Sequence, residues 1–322
     1  MRVREVLFSL PSVVRAWPQL KTNSVVFEQI IDGQLRAGAI DADGVVRLVP
    51  FGCDEALPEL APHEGLVVHR LNKRAVVVNR AAGVVVKHVR KGVGPDYSAL
   101  AKAAGFRAAS VVRSAASVVE YELLPGDTLC ALGDASVPGW ERFVELWPKF
   151  ARGAGVGLSS HDAGDELGVL RHWLNQVEHF GMLDAHSCQR LARSVDALAG
   201  ELLKPADPCV VLHRDLHDKQ LLWDGSQLSV LDLDTVAFGE AALDVGNVLA
   251  HVELRGFQKV YSDSVQARIS QAVRELADSL VISPSRLQAY TQAARLRLCC
   301  VYAFRPSAQP FINQWISHSV KE

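Results

Sequence analysis

Two acid-bearing segments, each introduced by a short apolar run, constrain this chain more than any other feature. The first runs from Val211 to Trp223 and reads VLHRDLHDKQLLW, and the second runs from Val230 to Thr235 and reads VLDLDT. Short apolar runs of this kind predict buried β-strands, so the polar residues stand at strand ends. Burying a charge without a partner is costly, whereas carboxylate and amide oxygens are ligands that Mg²⁺ accepts. The two segments therefore predict a site in which a divalent metal and a phosphate group lie between acids.

The spacing of these polar residues resembles the catalytic and metal-binding loops of protein-kinase-like phosphotransferases, which read H-R-D-x-x-x-x-N followed by D-F-G. The matching positions are, in chain order, His213, Arg214, Asp215, Gln220, Asp232 and Asp234. The second motif often reads D-x-D in the aminoglycoside phosphotransferase and choline kinase superfamily, which is the closer resemblance. Gln220 stands where most relatives have Asn, and this exchange resembles the maltokinase-like branch. The resemblance covers roughly residues 63–305.

The resemblance implies an α+β protein-kinase-like fold with two lobes. The N-lobe is expected to be β-rich and to bind the nucleotide, and the C-lobe to be mainly α-helical. An extra N-terminal β cap precedes them, as in maltokinase-like proteins. We expect the cap at residues 1–62, the N-lobe at residues 63–124, and the C-lobe, with the catalytic loop, metal loop and acceptor pocket, at residues 125–322.

The resemblance also implies roles for the polar residues of the C-lobe. Asp215 is expected to accept the proton of the acceptor hydroxyl or to orient that hydroxyl, with His213 and Arg214 holding the loop. The expected Mg²⁺ ligands are Gln220, Asp232 and, as a further ligand, Asp234. The expected acceptor contacts are His217 and Asp218. Asp244, in the segment FGEAALD, is expected to start a helix and to support the catalytic loop by hydrogen bonds.

The predicted N-lobe contains three Val-rich strands, and Lys87 lies within the third. A lysine in such a strand is costly to bury unless it meets an anion, which the resemblance identifies as the α- and β-phosphates of ATP. The hinge that reads adenine through its backbone is placed at Glu122, Leu123 and Leu124. Two family features are missing: the first turn, Leu71–Arg74, has no glycine, and no Glu follows Lys87 before Glu120. Asp96 is a weak candidate to pair with Lys87, and its simpler interpretation is a helix cap.

The cap region predicts a small antiparallel sheet. The segments Val25–Ile31 and Gln34–Ile40 flank Asp32-Gly33, which is a strong signal for a two-residue hairpin turn. A second turn at residues 41–44 leads into a further strand at Val45–Val49. We assign no catalytic residue to the cap.

Net charge, cysteine spacing and apolar runs limit the kinds of partner and the location that we expect for the protein. The 322 residues carry a net charge of −2, which gives no reason to expect nucleic acid or an anionic membrane as a partner. The six cysteines lack C-x-x-C spacing, as expected of reduced thiols in the cytoplasm. We expect no signal peptide, because the apolar run at the N-terminus is short and interrupted. We expect no membrane span, because no run of about 18 apolar residues occurs.

The sequence thus predicts an ATP- and Mg²⁺-dependent phosphotransferase that moves the γ-phosphoryl group to a hydroxyl of a small molecule, with a sugar or amino sugar favoured. An aminoglycoside or amino-alcohol kinase remains an alternative, although the late segment 256–322 is cationic and would repel a polycation. A catalytically silent nucleotide-binding protein is a second alternative, favoured by the two missing features. A hydrolase with a metal cluster at His213, Asp215 and His217 is a third. The identity of the acceptor, ATP versus GTP, and the oligomeric state are left open.

Overall fold

The computed structural model describes residues 2–204 and 206–320. The chain begins with a cap made of helix α1 (Arg2–Ser9) and an antiparallel sheet in the order β1-β2-β3-β4. Its strands are β1 (Val13–Gln19), β2 (Ser24–Ile31), β3 (Gln34–Ile40) and β4 (Val46–Leu48). Asp32 and Gly33 both have positive φ, 49° and 75°, as a two-residue hairpin turn requires. The predicted hairpin and the strand after it are therefore present.

Helix α1 and strand β1 were not predicted. Strand β1 contains Pro18, which argues against a strand in sequence patterns because proline cannot donate to a ladder. The strand forms because it lies at the edge of its sheet, where only β2 pairs with it.

The N-lobe is an antiparallel sheet of five strands in the order β5-β6-β7-β9-β8. Its elements are β5 (Leu66–Arg70), β6 (Arg74–Asn79), β7 (Val84–Val89), α2 (Ser98–Ala104), β8 (Val111–Ser114) and β9 (Val118–Glu122). The three predicted Val-rich strands are β5 to β7, and the predicted hinge strand is β9. Strand β8 was not predicted.

Strand register places three cations of the N-lobe on one face of this sheet. Arg70 pairs with Arg74 across the β5–β6 turn, and Lys87 pairs with Val76. Because alternate residues of a strand share a face, Arg74 and Val76 point the same way, so Arg70, Arg74 and Lys87 lie on one face. His69 and Ala75, on the other face, are fully buried.

The C-lobe is mainly helical, with two small sheets. Its helices are α3 (Leu129–Leu132), α4 (Val137–Ala151), α5 (Ala163–His179), α6 (Ala185–Leu202), α7 (Ala242–Phe257), α8 (Asp263–Ser279), α9 (Pro284–Ala303) and α10 (Ile312–Ser319). The sheets are β10-β12-β13, from Asp127–Thr128, Leu221–Trp223 and Leu228–Val230, and β11-β14, from Cys209–Leu212 and Ala237–Glu240. None of these helices in the described part of the chain is long and apolar enough to cross a membrane.

Side-chain caps fix where the long C-lobe helices begin. The carboxylate of Asp162 accepts from the amide of Asp165 at 2.9 Å, and the amide of Asp162 donates to the carboxylate of Asp165 at 3.0 Å, which is a capping box for α5. Asp184 caps α6, and Ser283 caps α9, where Pro284 occupies the first turn. These ends set the helices that pack behind the catalytic loop.

The cap packs against both lobes. Leu7 and Phe27 of the cap share one buried cluster with Trp147 and Phe304 of the C-lobe. Leu35 of the cap joins a second cluster with N-lobe residues, including Leu66, Ala75 and Val77. The cap therefore spans the two lobes, a placement that no periodicity in the sequence indicates.

Candidate active site

Lys87 meets two acids across the cleft between the lobes. Its Nζ donates to Oδ1 of Asp232 at 2.9 Å and to Asp234. Burial by itself would lower the pKa of Lys87, but the two carboxylates outweigh burial and raise that pKa. Burial would raise the pKa of Asp232, and Lys87 offsets it, so that the pKa of Asp232 is lowered. Lys87 and the second acidic segment therefore form one charged cluster.

These contacts identify the partner of Lys87 that the sequence left open. Asp96 accepts a hydrogen bond from the amide of Ser98 at 2.8 Å, at the start of α2, and it makes no ion pair with Lys87. The structure therefore does not support Asp96 as the weak candidate partner of Lys87, and the cap position of α2 is Tyr97, one residue after Asp96.

The catalytic loop is tied to the second acidic segment through His213. The Nε2 atom of His213 donates to the carbonyl of Leu231 at 2.7 Å, and its Nδ1 accepts from the amide of Asp215 at 3.3 Å. The hydroxyl of Thr235 donates to the carbonyl of His213 at 2.8 Å. Since His213 is fully buried, these bonds fix one neutral tautomer and hold the two segments side by side.

Asp215 itself is exposed, and no described side chain is hydrogen-bonded to its carboxylate. The preceding residue, Arg214, has φ of 72°, and Asp232 has φ of 53°. Non-glycine residues in this region store backbone strain, which persists where the surrounding structure enforces it. Both acids that were predicted to do the chemistry thus lie beside or at strained positions.

Gln220 is placed next to Asp232 by the pairing of β12 with β13. The amide of Leu231 donates to the carbonyl of Gln220 at 2.8 Å, so Gln220 lies opposite the residue that precedes Asp232. The side chain of Gln220 is half-buried and makes no hydrogen bond to a described residue. Two carboxylates and a free amide oxygen form a hard-oxygen donor set, which fits Mg²⁺.

The described residues contain no group of three His, Cys, Asp or Glu side chains arranged to hold a metal. His213, Asp215 and His217, the ligands of the hydrolase alternative, therefore do not form such a group. It does not weigh against Mg²⁺, which is commonly held by one or two carboxylates while phosphates and water complete its shell.

A polar stripe on helix α7 supports the catalytic loop. Asp244 accepts from the amides of His213 at 2.7 Å and Arg214 at 2.8 Å. Asn247 donates to the carbonyl of Leu216 at 2.9 Å. Burial raises the pKa of Asp244 to about 6. The predicted support role of Asp244 agrees with these bonds, although the cap position of α7 is Ala241 and not Asp244.

The stripe continues one and two turns further along α7. His251 lies edge-on to His217, with ring centroids 4.5 Å apart. Arg255 donates to both carboxylate oxygens of Asp218, at 2.7 and 2.8 Å. Sequence reasoning assigned no role to Asn247, His251 or Arg255. The signal was present, because polar residues at steps of three and four on an apolar helix share one face.

Asp218 is therefore placed unlike the predicted acceptor contact. Its side chain is fully buried, and besides Arg255 it accepts from the hydroxyl of Tyr261 at 3.2 Å. Burial would raise the pKa of Asp218, and Arg255 outweighs it and lowers that pKa. A carboxylate with its bonds satisfied inside the core does not face an acceptor, so the prediction for Asp218 is corrected. His217 is partly exposed, so its predicted contact with the acceptor stays a prediction.

Two of the three hinge amides already form hydrogen bonds within the protein. The amide of Glu122 donates to the carbonyl of Ser110, and the amide of Leu123 to that of Gly83, both at 2.9 Å. Among the three predicted hinge positions, Leu124 alone has an amide that donates to no described backbone carbonyl. The amide of Leu124 and the backbone carbonyl groups are therefore the hinge groups left for a ligand among these three positions.

The β5–β6 turn contains no glycine, and hydrogen bonds fix the positions of its basic residues. The amide of Lys73 donates to the carbonyl of Arg70 at 3.0 Å, which closes the turn. Asp54 of the cap accepts from the amide of Asn72 at 2.8 Å and lies 3.2 Å from Nε2 of the buried His69. Nη1 of Arg74 lies 4.0 Å from Oδ2 of Asp232. The turn is therefore fixed by the cap, and it points a guanidinium group at the charged cluster.

Burial, and then the neighbouring Arg74, lowers the pKa of Arg70 to about 10. The pKa of Lys73 is lowered by burial and by its cationic neighbours. Such mutual repulsion marks a surface that an anion would stabilise.

Two cavities of the described structure lie away from these residues. One of about 940 Å³ lies between α6 and α9, and one of about 440 Å³ lies between the cap and the N-lobe sheet. Neither is lined by a predicted site residue. The candidate site is thus defined by the convergence of charged groups and not by cavity size.

Residues 145–278, which include both acidic segments and the stripe of α7, match the model of the phosphotransferase enzyme family. The chain has a protein-kinase-like fold, which it shares with solved structures of small-molecule kinases. The matched region covers less than half of the chain and excludes Lys87 and the cap. Among curated proteins no match to the sequence was found.

Solved structures with this fold match over most of their length. A glucosamine kinase structure has a TM-score of 0.50 at 16% identity, covering 97% of this chain and 95% of that one. A choline/ethanolamine kinase family protein from Mesorhizobium loti has a TM-score of 0.50 at 13% identity, covering 77% and 84%. The GDP and kanamycin complex of APH(2")-IIia has a TM-score of 0.52 at 12% identity, covering 78% and 90%. At these identities the likeness establishes the fold.

Proposed function

We propose that the protein transfers the γ-phosphoryl group of a nucleoside triphosphate, ATP, to a hydroxyl group of a small molecule. One observation carries this proposal: Lys87 of the N-lobe is ion-paired with Asp232 and Asp234 beside the catalytic loop. A cation and two acids in a cleft are the groups that a metal-bound triphosphate needs. The family match over residues 145–278 supports a small-molecule phosphotransferase.

Each residue then has a chemical task. Lys87 binds the α- and β-phosphates, and Arg74 adds positive charge where relatives use a glycine-rich loop. Asp215 accepts the proton of the acceptor hydroxyl or orients it. Gln220, Asp232 and Asp234 would hold Mg²⁺, which when bound neutralises charge on the phosphates. Phosphoryl transfer needs mainly such positioning and charge neutralisation.

The same carboxylates that would hold the metal also hold the ammonium group of Lys87. Binding of the metal–nucleotide complex must therefore redistribute these contacts, because an ammonium group and a divalent ion compete for the same oxygens. The phosphates supply the replacement anion for Lys87. The charged cluster thus keeps Lys87 and its acids paired until the nucleotide arrives.

The test is transfer of labelled γ-phosphate to a panel of small hydroxyl compounds, with wild type, Asp215→Asn and Asp232→Asn. Each substitution is expected to lower transfer by about 10²–10⁴-fold. Asp278→Asn is the matched control, because Asp278 is exposed on α8 and its side chain bonds to no described residue. Transfer that survives both site substitutions at the wild-type rate would contradict the proposal.

The compact β5–β6 turn favours one competing function, a nucleotide-binding protein without catalysis, because relatives cover the phosphates with a mobile glycine-rich loop. That function predicts Mg²⁺-dependent binding of ATP with no labelled product from any compound in the panel. Binding and transfer are therefore measured on the same preparation.

A further inference from the structure

Two histidines beside the catalytic loop have no hydrogen-bond partners. The rings of His217 and His251 meet edge-on at 4.5 Å, and the buried Nδ1 atoms of both rings make no hydrogen bond to any described residue. Burial lowers the pKa of both, so both rings are neutral. Buried polar groups normally find partners, and every other member of the α7 stripe has one. The missing partners point to a bound molecule that offers hydroxyl groups.

Arg297 of α9 is linked to the same loop through the side chain of Asn247. Its Nη2 donates to Oδ1 of Asn247 at 2.6 Å, and Nδ2 of Asn247 donates to the carbonyl of Leu216. Its Nε is buried without a hydrogen bond, 4.0 Å from Oε1 of Glu166. Glu166 already pairs with His161 at 3.3 Å. The charge of Arg297 is therefore only partly compensated.

Arg305, just beyond the end of α9, lacks an acidic partner. Its guanidinium lies over the ring of Tyr302 at 4.4 Å, and no carboxylate of the described chain lies within ion-pair distance. Burial is the main cause that lowers the pKa of Arg305. Glu28 of the cap, the carboxylate that acts on Arg305, is already bound to Arg15 at 2.5 Å. Arg305 is thus a half-buried cation whose counter-ion is missing.

These groups surround one region. Arg297 is joined to the catalytic loop through Asn247, and His251 touches His217, two residues after Asp215. After burial, the main cause, the charges of Arg297 and Arg305 also lower the pKa of His251. The 3₁₀ turn Pro306–Ala308, directly after Arg305, contacts strand β1 of the cap. We call the region between the catalytic loop, α7, the end of α9 and the cap the acceptor recess. The carboxylates that face these arginines, Glu166 and Glu28, are already bound to His161 and Arg15, so neither arginine has a counter-charge of its own.

We propose that the acceptor carries a negatively charged group, which Arg297 and Arg305 bind while its hydroxyl groups contact His217 and His251 and one hydroxyl faces Asp215. This inference rests on the proposed phosphotransfer and names the class of its substrate. A carboxylate or phosphate on the acceptor would supply the missing counter-ion. An amine would add a third cation to a recess that already repels cations, so amino sugars and aminoglycosides are disfavoured.

The test uses three sugars of equal size that differ in charge: glucuronate, glucose and glucosamine. Their binding to the full-length protein is measured by calorimetry with ADP and Mg²⁺ present and no triphosphate, so the result does not depend on turnover. Glucuronate is expected to bind about tenfold or more tightly than glucosamine, with glucose between them. The preference should weaken as salt is raised, because salt screens charge.

Two variants locate the effect. Arg305→Gln and Arg297→Gln are each expected to reduce the ratio of glucuronate to glucose affinity by about tenfold, the loss of one charge-assisted contact. Arg274→Gln removes the same charge from an exposed site on α8 and is expected to keep the wild-type ratio. Thermal unfolding of each variant confirms that it is folded, and having two variants keeps the test valid if one fails to fold.

Tighter binding of glucosamine than of glucuronate, equal affinity for all three sugars, or no binding of glucuronate would overturn the proposal. So would an unchanged ratio in both folded variants. Failure of the proposed phosphotransfer is seen separately, as an absence of labelled product from wild type with any acceptor.

Discussion

The ammonium group of Lys87 lies 2.9 Å from Oδ1 of Asp232, although 145 residues separate them in the chain. The contact joins the third strand of the N-lobe to the segment after β13 in the C-lobe. In protein kinases the lysine of the third strand pairs with a glutamate on the N-lobe helix, and here no Glu occurs between Lys87 and Glu120. Closure of this cleft therefore relies on the acids that would also hold the metal, and on the cations of the β5–β6 turn.

Replacing Arg74 by Gln is expected to weaken ATP binding by about tenfold or more, because one charge-assisted contact to the phosphates is lost. Binding of adenosine, which has no phosphate, should not change. Calorimetry with both ligands measures the difference. Arg80→Gln, an exposed cation just beyond β6, is the control and should bind both ligands as wild type does. Equal weakening of ATP and adenosine would show that Arg74 acts on the fold and not on the phosphates.

Protonation of the Asp244 carboxyl is expected to make the stability of the protein depend on pH. Burial raises its pKa to about 6 in the folded protein from the ordinary value of 3.8. Because the folded pKa is the higher one, the free energy of unfolding falls as pH rises from about 4 to about 6. A shift of about two pKa units corresponds to about 3 kcal/mol. Urea unfolding at several pH values measures the slope.

In Asp244→Asn this loss of stability with rising pH should disappear. The variant should be less stable at every pH, because Asn has one side-chain oxygen and can accept from only one of the two amides that Asp244 binds. Asp278→Asn, which removes an exposed acid, should keep the wild-type slope. Parallel pH profiles for wild type and Asp244→Asn would contradict the assigned pKa.

The pair formed by Asp218 and Arg255 is expected to be structural. Asp218→Ala leaves the Arg255 charge buried without a partner, which costs about 3–5 kcal/mol of unfolding free energy. The double variant Asp218→Leu/Arg255→Met removes both charges and should recover most of that loss. Denaturant unfolding of the three proteins measures the coupling. Unchanged stability in Asp218→Ala, together with a raised KM for the acceptor, would restore Asp218 as an acceptor contact.

Asp54 is expected to couple the cap to the nucleotide site. Asp54→Ala removes the acceptor for the amide of Asn72 and the partner of His69, at a cost of about 2–3 kcal/mol. The loosened β5–β6 turn should also weaken ATP binding. Asp43→Ala, in an exposed cap turn, is the control for both measurements. Wild-type affinity for ATP in a destabilised Asp54→Ala would show that the cap does not organise the turn.

Local features of this fold were predictable because their signals lie within a few residues of each other. Asp32-Gly33 marks its hairpin by backbone conformation alone, and the Val-rich runs mark β5 to β7. Strand β1 escaped notice because Pro18 argues against a strand unless the strand is known to lie at an edge. Strand β8 escaped because its four residues are all exposed and carry no buried face to produce a pattern.

The acidic motifs around Asp215 and Asp232 could be read from spacing, because the loop that presents them is short and its residues act together. The sequence therefore predicted a class of chemistry and named the residues to consider. The sequence could not show which aspartates are buried and which are exposed. Asp218, which is bound to Arg255, and Asp215, which is exposed, are the same residue type three positions apart. That distinction depends on which helix packs against the loop. Helix α7 settles it by carrying His251 and Arg255 to His217 and Asp218, through contacts that only the folded chain brings together.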